Sequence, residues 1–120
     1  MRPDDPDVTY LWDILDAARS IREFTRGVRS HAYLKDRKLQ MSVERGLEII
    51  GEAARRLSPR FRNHHAEIPW KRIIRLRNIL AHEYGEIKQE RIWDVVKNHI
   101  PTLIEQVESL LPPAPRGPGV

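Results

Sequence analysis

Residues 77–84 bring together side chains that could handle a phosphate group, reading Arg-Asn-Ile-Leu-Ala-His-Glu-Tyr. Arginine carries a permanent cation in a fork that matches phosphate oxygens, and histidine can gain or lose a proton near neutral pH. Arg77, Asn78 and His82 therefore suit attack of a ribose 2′-hydroxyl on the adjacent phosphodiester. His82 would move the proton and Arg77 would stabilise the phosphorane. Such a reaction needs RNA, because DNA lacks the 2′-hydroxyl.

The same pattern also fits a solvated helix edge, which on spacing alone is the more common outcome. A histidine near a helix C-terminus is favoured by the macrodipole without any catalytic role. Asn78 and His82 lie four residues apart and would share a face, and the long Arg77 side chain could swing toward His82. One histidine cannot easily act as both base and acid in one step. A chemical role would therefore favour a symmetric homodimer with two facing copies of the motif.

The charge distribution supports an anionic partner. The 120-residue chain has a net charge of +4, and residues 55–77 hold eight Lys or Arg against one acidic residue, Glu67. Arg72 and Arg75 precede the motif on the same predicted helix and are our candidates for RNA contacts.

The composition gives little support to a disulfide framework, a metal or cofactor site, or a location in the membrane or outside the cell. Without cysteine, the chain can form neither a disulfide framework nor a thiolate metal site. The adjacent His64 and His65 show no evident third ligand, so we expect neither a metal nor a cofactor. No apolar run approaches the ~20 residues of a membrane span, and the acidic N-terminus lacks the apolar core of a signal peptide. We expect a cytoplasmic protein.

The elements that must position the motif are predicted to be helices, because apolar residues recur at three- and four-residue spacings throughout. Ser58-Pro59 should end one helix and Pro69 should begin the next, with a polar loop over 59–68 between them. Pro101 should kink or interrupt the last helix. The four predicted helices cover residues 9–30, 36–57, 69–83 and 88–111.

This pattern predicts an all-α fold, an antiparallel bundle of four to five helices. We expect a flexible N-terminal tail over 1–8, the bundle over 9–111, and a disordered Pro/Gly-rich tail over 112–120. Gly46 and Gly51 lie inside one predicted helix, where a close approach of another helix would explain them. The neighbouring Glu52 fits either a functional cleft or a solvated ion pair.

The motif resembles the Arg-(four residues)-His-X-Tyr signature of HEPN-domain proteins, in particular the HepT-like toxins. Residues 77–84 keep the polar residue after the arginine, the Leu-Ala pair and the tyrosine. Residues 48–53 (Glu-Ile-Ile-Gly-Glu-Ala) look like the second signature of the family, and residues 68–70 (Ile-Pro-Trp) also fit. The segment 93–110, with its internal proline, looks like the closing helix, so the resemblance covers most of 9–111.

The resemblance implies a homodimer whose two motifs line a shared cleft, and a metal-independent endoribonuclease that is the toxin of a type II toxin–antitoxin pair. It implies Arg77 and His82 as catalytic residues with Asn78 in support. It also implies a nucleotidyltransferase antitoxin of the MNT type, which can adenylylate Tyr84. One alternative is a non-catalytic nucleotide- or RNA-binding subunit that partners a nucleotidyltransferase. Another is a structural dimerisation bundle.

Overall fold

Every regular element in the described part of the chain is helical. The structure is a computed structural model that describes residues 4–82 and 87–112. Within those ranges the helical elements are α1 (Pro6–Phe24), α2 (Ser30–Tyr33), α3 (Arg37–Arg56), α4 (Pro59–His64), α5 (Trp70–His82), α6 (Gln89–Asp94), a π-helical segment (Val95–His99) and α7 (Ile100–Leu110). The predicted all-α fold is confirmed. The predicted C-terminal tail, apart from Pro112, and residues 83–86 lie outside the described residues.

The long helices pack antiparallel, as predicted. Ser58, just beyond the end of α3, donates its backbone N–H (2.9 Å) and its hydroxyl (2.8 Å) to the carboxylate of Asp7 at the start of α1. Further along α1, the side chain of Ile21 lies against Gly46 of α3. At the other interface of α3, Trp70 at the start of α5 lies near Phe61 of α4, while Arg77 reaches back to α3.

Helix α1 begins earlier and ends earlier than its apolar stripe suggests. Asp5 caps it by accepting the Asp7 N–H at 2.9 Å, so the helix takes in residues 6–8, which we assigned to the N-terminal tail. Val8 is buried. Instead of continuing to Ser30, α1 ends at Phe24, and the chain turns at Gly27, whose φ of 73° is left-handed. Such a backbone favours glycine and cannot belong to an α-helix.

The prediction of a polar loop over 59–68 is wrong for its first half. Ser58 caps α4 by accepting the N–H of Phe61 at 3.1 Å, and Pro59 occupies the first turn. A serine cap followed by proline is a strong helix start. A single apolar residue, Phe61, is buried in this segment, so no stripe revealed the short helix.

Pro101 interrupts the last helix, as predicted. Proline has no N–H and its ring clashes with the carbonyl of the residue four positions earlier. The chain accommodates it by one widened turn before α7, in which the N–H of Ile100 donates to the carbonyl of Val95, five residues back. After this π-helical segment, α7 packs on α1.

The core lies between α1, α3 and the C-terminal helices. Its largest fully buried side chains share an aliphatic character apart from the ring of Tyr33, and they include Leu11, Ile14, Ile21, Val43, Ile50, Ile92, Ile104 and Val107. Helix α5 is attached at one edge of this core, mainly to α3. In the two described ranges, no helix is long and apolar enough to cross a bilayer.

Candidate active site

Helix α5 carries the candidate catalytic residues and is anchored at its beginning. Trp70 is only 5% exposed, and its indole N–H donates to the carbonyl of His65 at 2.9 Å. Ile73, Ile74 and Leu80 are partly buried against the core. One side of α5 is therefore fixed to the bundle while the other side remains accessible.

The two helices that form the site approach closely at Gly51, as we expected from the glycine. A Cβ added at Gly51 would overlap the Cβ of Arg77 and lie 3.1 Å from the carbonyl oxygen of Ile73. Only glycine lets the backbone of α3 come so near α5. This crossing places the first candidate catalytic residue, Arg77, directly against α3.

Arg77 makes two polar contacts through its guanidinium. One terminal nitrogen lies 3.0 Å from the Glu52 Oε2 atom, and the other donates to the Asn78 Oδ1 atom at 3.2 Å. The Arg77 side chain is 24% exposed. It is therefore oriented by protein partners yet still open to solvent. Its guanidinium is directed to Glu52 and Asn78, in place of the swing toward His82 that the sequence spacing allows.

Glu52, which the sequence left undecided, is the centre of an arginine cluster. Its Oε1 atom accepts hydrogen bonds from Arg55 at 3.0 and 2.5 Å and from Arg56 at 3.4 Å. The hydrogen bond from Arg55, with help from Arg56 and the charge of Arg77, holds the pKa of the Glu52 carboxyl below its ordinary value. The carboxylate is thus kept ionised, and three guanidinium groups surround one negative charge.

This cluster extends to α1 through Arg56. Hydrogen bonds to Glu52 first and to Tyr10 second raise the pKa of the Arg56 guanidinium. A polar cleft of about 290 Å³ lies where these helices meet, and it is lined by Tyr10, Asp13, Arg45, Glu48, Ile49, Glu52, Ala53, Arg56 and Arg77. Its charged lining is mixed, with three carboxylates (Asp13, Glu48 and Glu52) and three guanidinium groups (Arg45, Arg56 and Arg77).

His82 lies apart from this cleft. It is the last described residue of α5 and its side chain is exposed. It is five positions after Arg77, so the two side chains project about 140° apart around the helix axis. Asn78, next to Arg77, is also exposed. Tyr84, the candidate for modification, lies outside the described residues.

Arg72 and Arg75 face a different and larger space. They are exposed and line a cavity of about 870 Å³ between α5 and the C-terminal helices. Its floor is apolar, with Leu76 and Ile79 from α5. Since Arg75 and Arg77 are two residues apart, they point to nearly opposite sides of the helix. Within one copy of the chain, the candidate RNA contacts and the Arg77 cleft are therefore separate.

Metal ligands are not grouped in the described ranges. No set of three or more His, Asp or Glu side chains there could hold an ion. The Nδ1 atom of His65 lies 3.6 Å from the Oε1 atom of Glu67, and the rings of His64 and His65 are centred 6.2 Å apart.

The sequence did not predict that Glu52 would pair with Arg77, nor that Arg55 and Arg56 would join them. The signal was present, because Glu52 follows the glycine that was expected to mark a helix crossing. The sequence could not show which residue of another helix Glu52 contacts. That depends on how α5 is placed on α3.

Comparisons with known proteins identify the family. A family model described as HepT-like ribonuclease matches residues 14–110. The chain is 42% identical over 101 residues to "Probable ribonuclease HepT" of Thermococcus cleftensis, covering 84% of this chain and 92% of that protein. It is 41% identical over 102 residues to "Putative RNase MJ0127" of Methanocaldococcus jannaschii, covering 85% and 84%.

A third relative shows the same likeness. "Putative RNase TTE0752" of Caldanaerobacter subterraneus subsp. tengcongensis is 37% identical over 102 residues, covering 85% of this chain and 91% of that protein. No solved structure matches the chain. The family model spans most of the helical bundle, including α3 and α5, which carry Glu52 and Arg77. The chain belongs to the HepT-like ribonuclease family.

Proposed function

We propose that this chain is the toxin of a type II toxin–antitoxin pair, acting in the cytoplasm as an endoribonuclease that needs no metal. Membership of a ribonuclease family supports RNA as the substrate. The observation that carries the proposal is the combination of contacts and solvent exposure at the Arg77 guanidinium. Its guanidinium is held by Glu52 and Asn78 but remains 24% exposed, which leaves donors free for a phosphate.

The proposed reaction is a transesterification within RNA. His82 takes the proton of the ribose 2′-hydroxyl as the 2′ oxygen bonds to phosphorus, and the bond from phosphorus to the 5′ oxygen breaks. Arg77 stabilises the added negative charge on the phosphorane, and Asn78 supports Arg77. The departing 5′ oxygen receives a proton from a second acid. The products are a 2′,3′-cyclic phosphate and a 5′-hydroxyl.

A symmetric homodimer would supply the missing group. Arg77 and His82 project about 140° apart on one helix, and a single histidine cannot easily be both base and acid. Two copies related by a two-fold axis could set His82 of one copy beside Arg77 of the other. The same arrangement could join the Arg77 cleft to Arg72 and Arg75, which would bind flanking phosphates of the RNA.

The proposed antitoxin is a nucleotidyltransferase of the MNT type, and its target is Tyr84. The tyrosine oxygen would attack the α-phosphate of ATP, forming an AMP ester and releasing pyrophosphate. Tyr84 lies two residues after His82 in the chain. A bulky anion there would compete with RNA for the basic groups of the site and repel the RNA backbone.

Expression in a host cell tests the proposal. The wild-type chain should arrest growth, His82→Ala should relieve the arrest, and co-expression of a catalytically competent antitoxin should restore growth. Tyr84→Phe should remain toxic with the antitoxin present; full silencing of this variant would rule out modification of Tyr84. If the purified chain binds nucleotides or RNA but never cleaves, the alternative of a non-catalytic subunit partnering a nucleotidyltransferase replaces the proposal.

A further inference from the structure

Glu52 makes the contact that orients Arg77 across the two helices. We infer that Glu52 is a positioning residue for catalysis, which holds the Arg77 guanidinium in the direction needed to meet the phosphorane. The inference rests on the proposed function, in which Arg77 stabilises that charge. It assigns a role to a residue on α3, outside the motif on α5.

The geometry leaves Arg77 able to bind a substrate while it is held. Arginine has five N–H donors in a rigid planar fork. Glu52 and Asn78 each engage one terminal nitrogen, at 3.0 and 3.2 Å, so the remaining donors can meet phosphate oxygens. Because the guanidinium is planar, fixing two of its corners also fixes the directions of the free N–H bonds.

Glu52 does not cancel the positive charge that a phosphate group would meet at Arg77. Its second oxygen is occupied by Arg55 and Arg56, so the carboxylate is shared among three cations. Asp13, Arg45 and Glu48 also line the cleft. Counted together with Arg55, four arginines (Arg45, Arg55, Arg56 and Arg77) stand against three carboxylates (Asp13, Glu48 and Glu52), so the group keeps a net positive charge. A phosphate group approaching Arg77 therefore still meets an attractive potential. This distinguishes a positioning contact from an inhibitory one, in which a carboxylate would cancel the charge of its only partner.

The backbone positions of α3 and α5 explain why Glu52 can reach the Arg77 guanidinium. The close approach at Gly51 brings α3 against the Cβ of Arg77, and Glu52 is the next residue along α3. Its side chain therefore begins beside the arginine and spans a short distance. Glu108 on α7 pairs with Arg19 on α1 at 2.6 Å and lines neither the cleft nor the larger cavity. Like Glu52, it pairs with an arginine across two helices, so it provides a matched control for the loss of one carboxylate.

Steady-state cleavage of a defined RNA by the full chain tests the inference. For Glu52→Gln we expect kcat to fall about 10- to 100-fold, the scale of a misplaced catalytic group. KM should stay within about twofold, because uniform substrate binding is unchanged. Glu52→Asp should recover part of the loss in kcat, since it restores the charge at a slightly greater distance. Glu108→Gln should leave both constants near the wild-type values.

Several outcomes would overturn the inference. The first is a Glu52→Gln chain that cleaves as fast as Glu108→Gln. The others are a Glu52→Gln chain in which KM alone changes, and one in which kcat rises. A loss of activity fully explained by the unfolded fraction, measured by thermal unfolding, would also overturn it. A wild-type chain that cleaves no RNA would instead overturn the proposed function, and the inference with it. Wild-type cleavage combined with an unaffected Glu52→Gln variant rejects the inference alone.

Discussion

Gly51 on α3 lies so close to Arg77 on α5 that a methyl group at position 51 would overlap the Cβ of the arginine. This contact sets where the guanidinium starts from and brings Glu52 within 3.0 Å of it. The backbone of one helix thus determines the position of a candidate catalytic side chain on another.

Gly51→Ala should therefore damage activity more than stability alone explains. Alanine favours a helix over glycine by up to about 1 kcal/mol, but the overlap must push α5 outward, and overpacking costs about 1–3 kcal/mol. We expect a lower melting temperature and weaker RNA cleavage per folded molecule.

Gly46→Ala is the matched control for this change. Its added Cβ would meet Ile21 at 2.7 Å, within the contact of α1 with α3, so it also overpacks the bundle but does not touch Arg77. Equal cleavage by the two alanine variants, at equal folded fraction, would show that the Gly51 crossing does not control the site.

A mixture of two inactive variants tests whether the site is shared between copies. Arg77→Ala and His82→Ala should each be inactive alone. If Arg77 of one copy works with His82 of the other, a mixed dimer retains one wild-type Arg77 facing one wild-type His82, but it lacks the second histidine, which is the proposed acid. Mixing the variants and allowing subunit exchange should therefore restore a small part of the cleavage activity, with the leaving oxygen protonated by solvent. A mixture that stays as inactive as its components would place both residues in one copy, or exclude the dimer.

Arg72 and Arg75 should act on RNA binding and not on the chemical step. They line the larger cavity, on a different side of α5 from Arg77. Replacing both with alanine should raise KM with little change in kcat, and should reduce the salt dependence of binding by about one unit per lost phosphate contact. Lys71→Ala, an exposed neighbour that does not line the cavity, serves as the control. An unchanged salt dependence in the double variant would remove these arginines from the RNA site.

Acid should expose the contribution of Glu52 to stability. The arginines around it lower the pKa of its carboxyl in the folded chain, so this stabilisation is present above the unfolded pKa and is lost as pH falls through the folded one. Between neutral pH and that acidic range, the wild-type chain should lose more stability than Glu52→Gln. Parallel unfolding curves for the two proteins across this range would contradict the role of the cluster.

Sequence patterns located the long helices because each carries either an apolar stripe or a clear end signal. The prediction for α3 was nearly complete, since Asp36 caps it by accepting the Leu39 N–H and Ser58-Pro59 ends it. The end of α1 could not be predicted, because its apolar stripe continues past Phe24. The left-handed backbone at Gly27, where the chain turns, is set by tertiary packing and not by the local pattern.

Only part of the candidate site could be predicted from the sequence, for a similar reason. Local spacing could identify Arg77, Asn78 and His82, because they lie on one helix. It could not show that Arg77 turns to Glu52 instead of His82, because that contact depends on how closely α3 and α5 approach. Nor could it show that Arg75 faces a separate cavity from Arg77, since this depends on which helices flank α5.

The most direct test of metal-independent RNA cleavage is a single assay with the purified chain and a single-stranded RNA in excess EDTA. We predict cleavage that leaves 2′,3′-cyclic phosphate and 5′-hydroxyl ends. An RNA with a 2′-deoxy sugar at the cleaved position should not be cut, and His82→Ala should be slower by about 10² or more. Loss of cleavage in EDTA, products with 5′-phosphate ends, or full activity of His82→Ala would contradict the account.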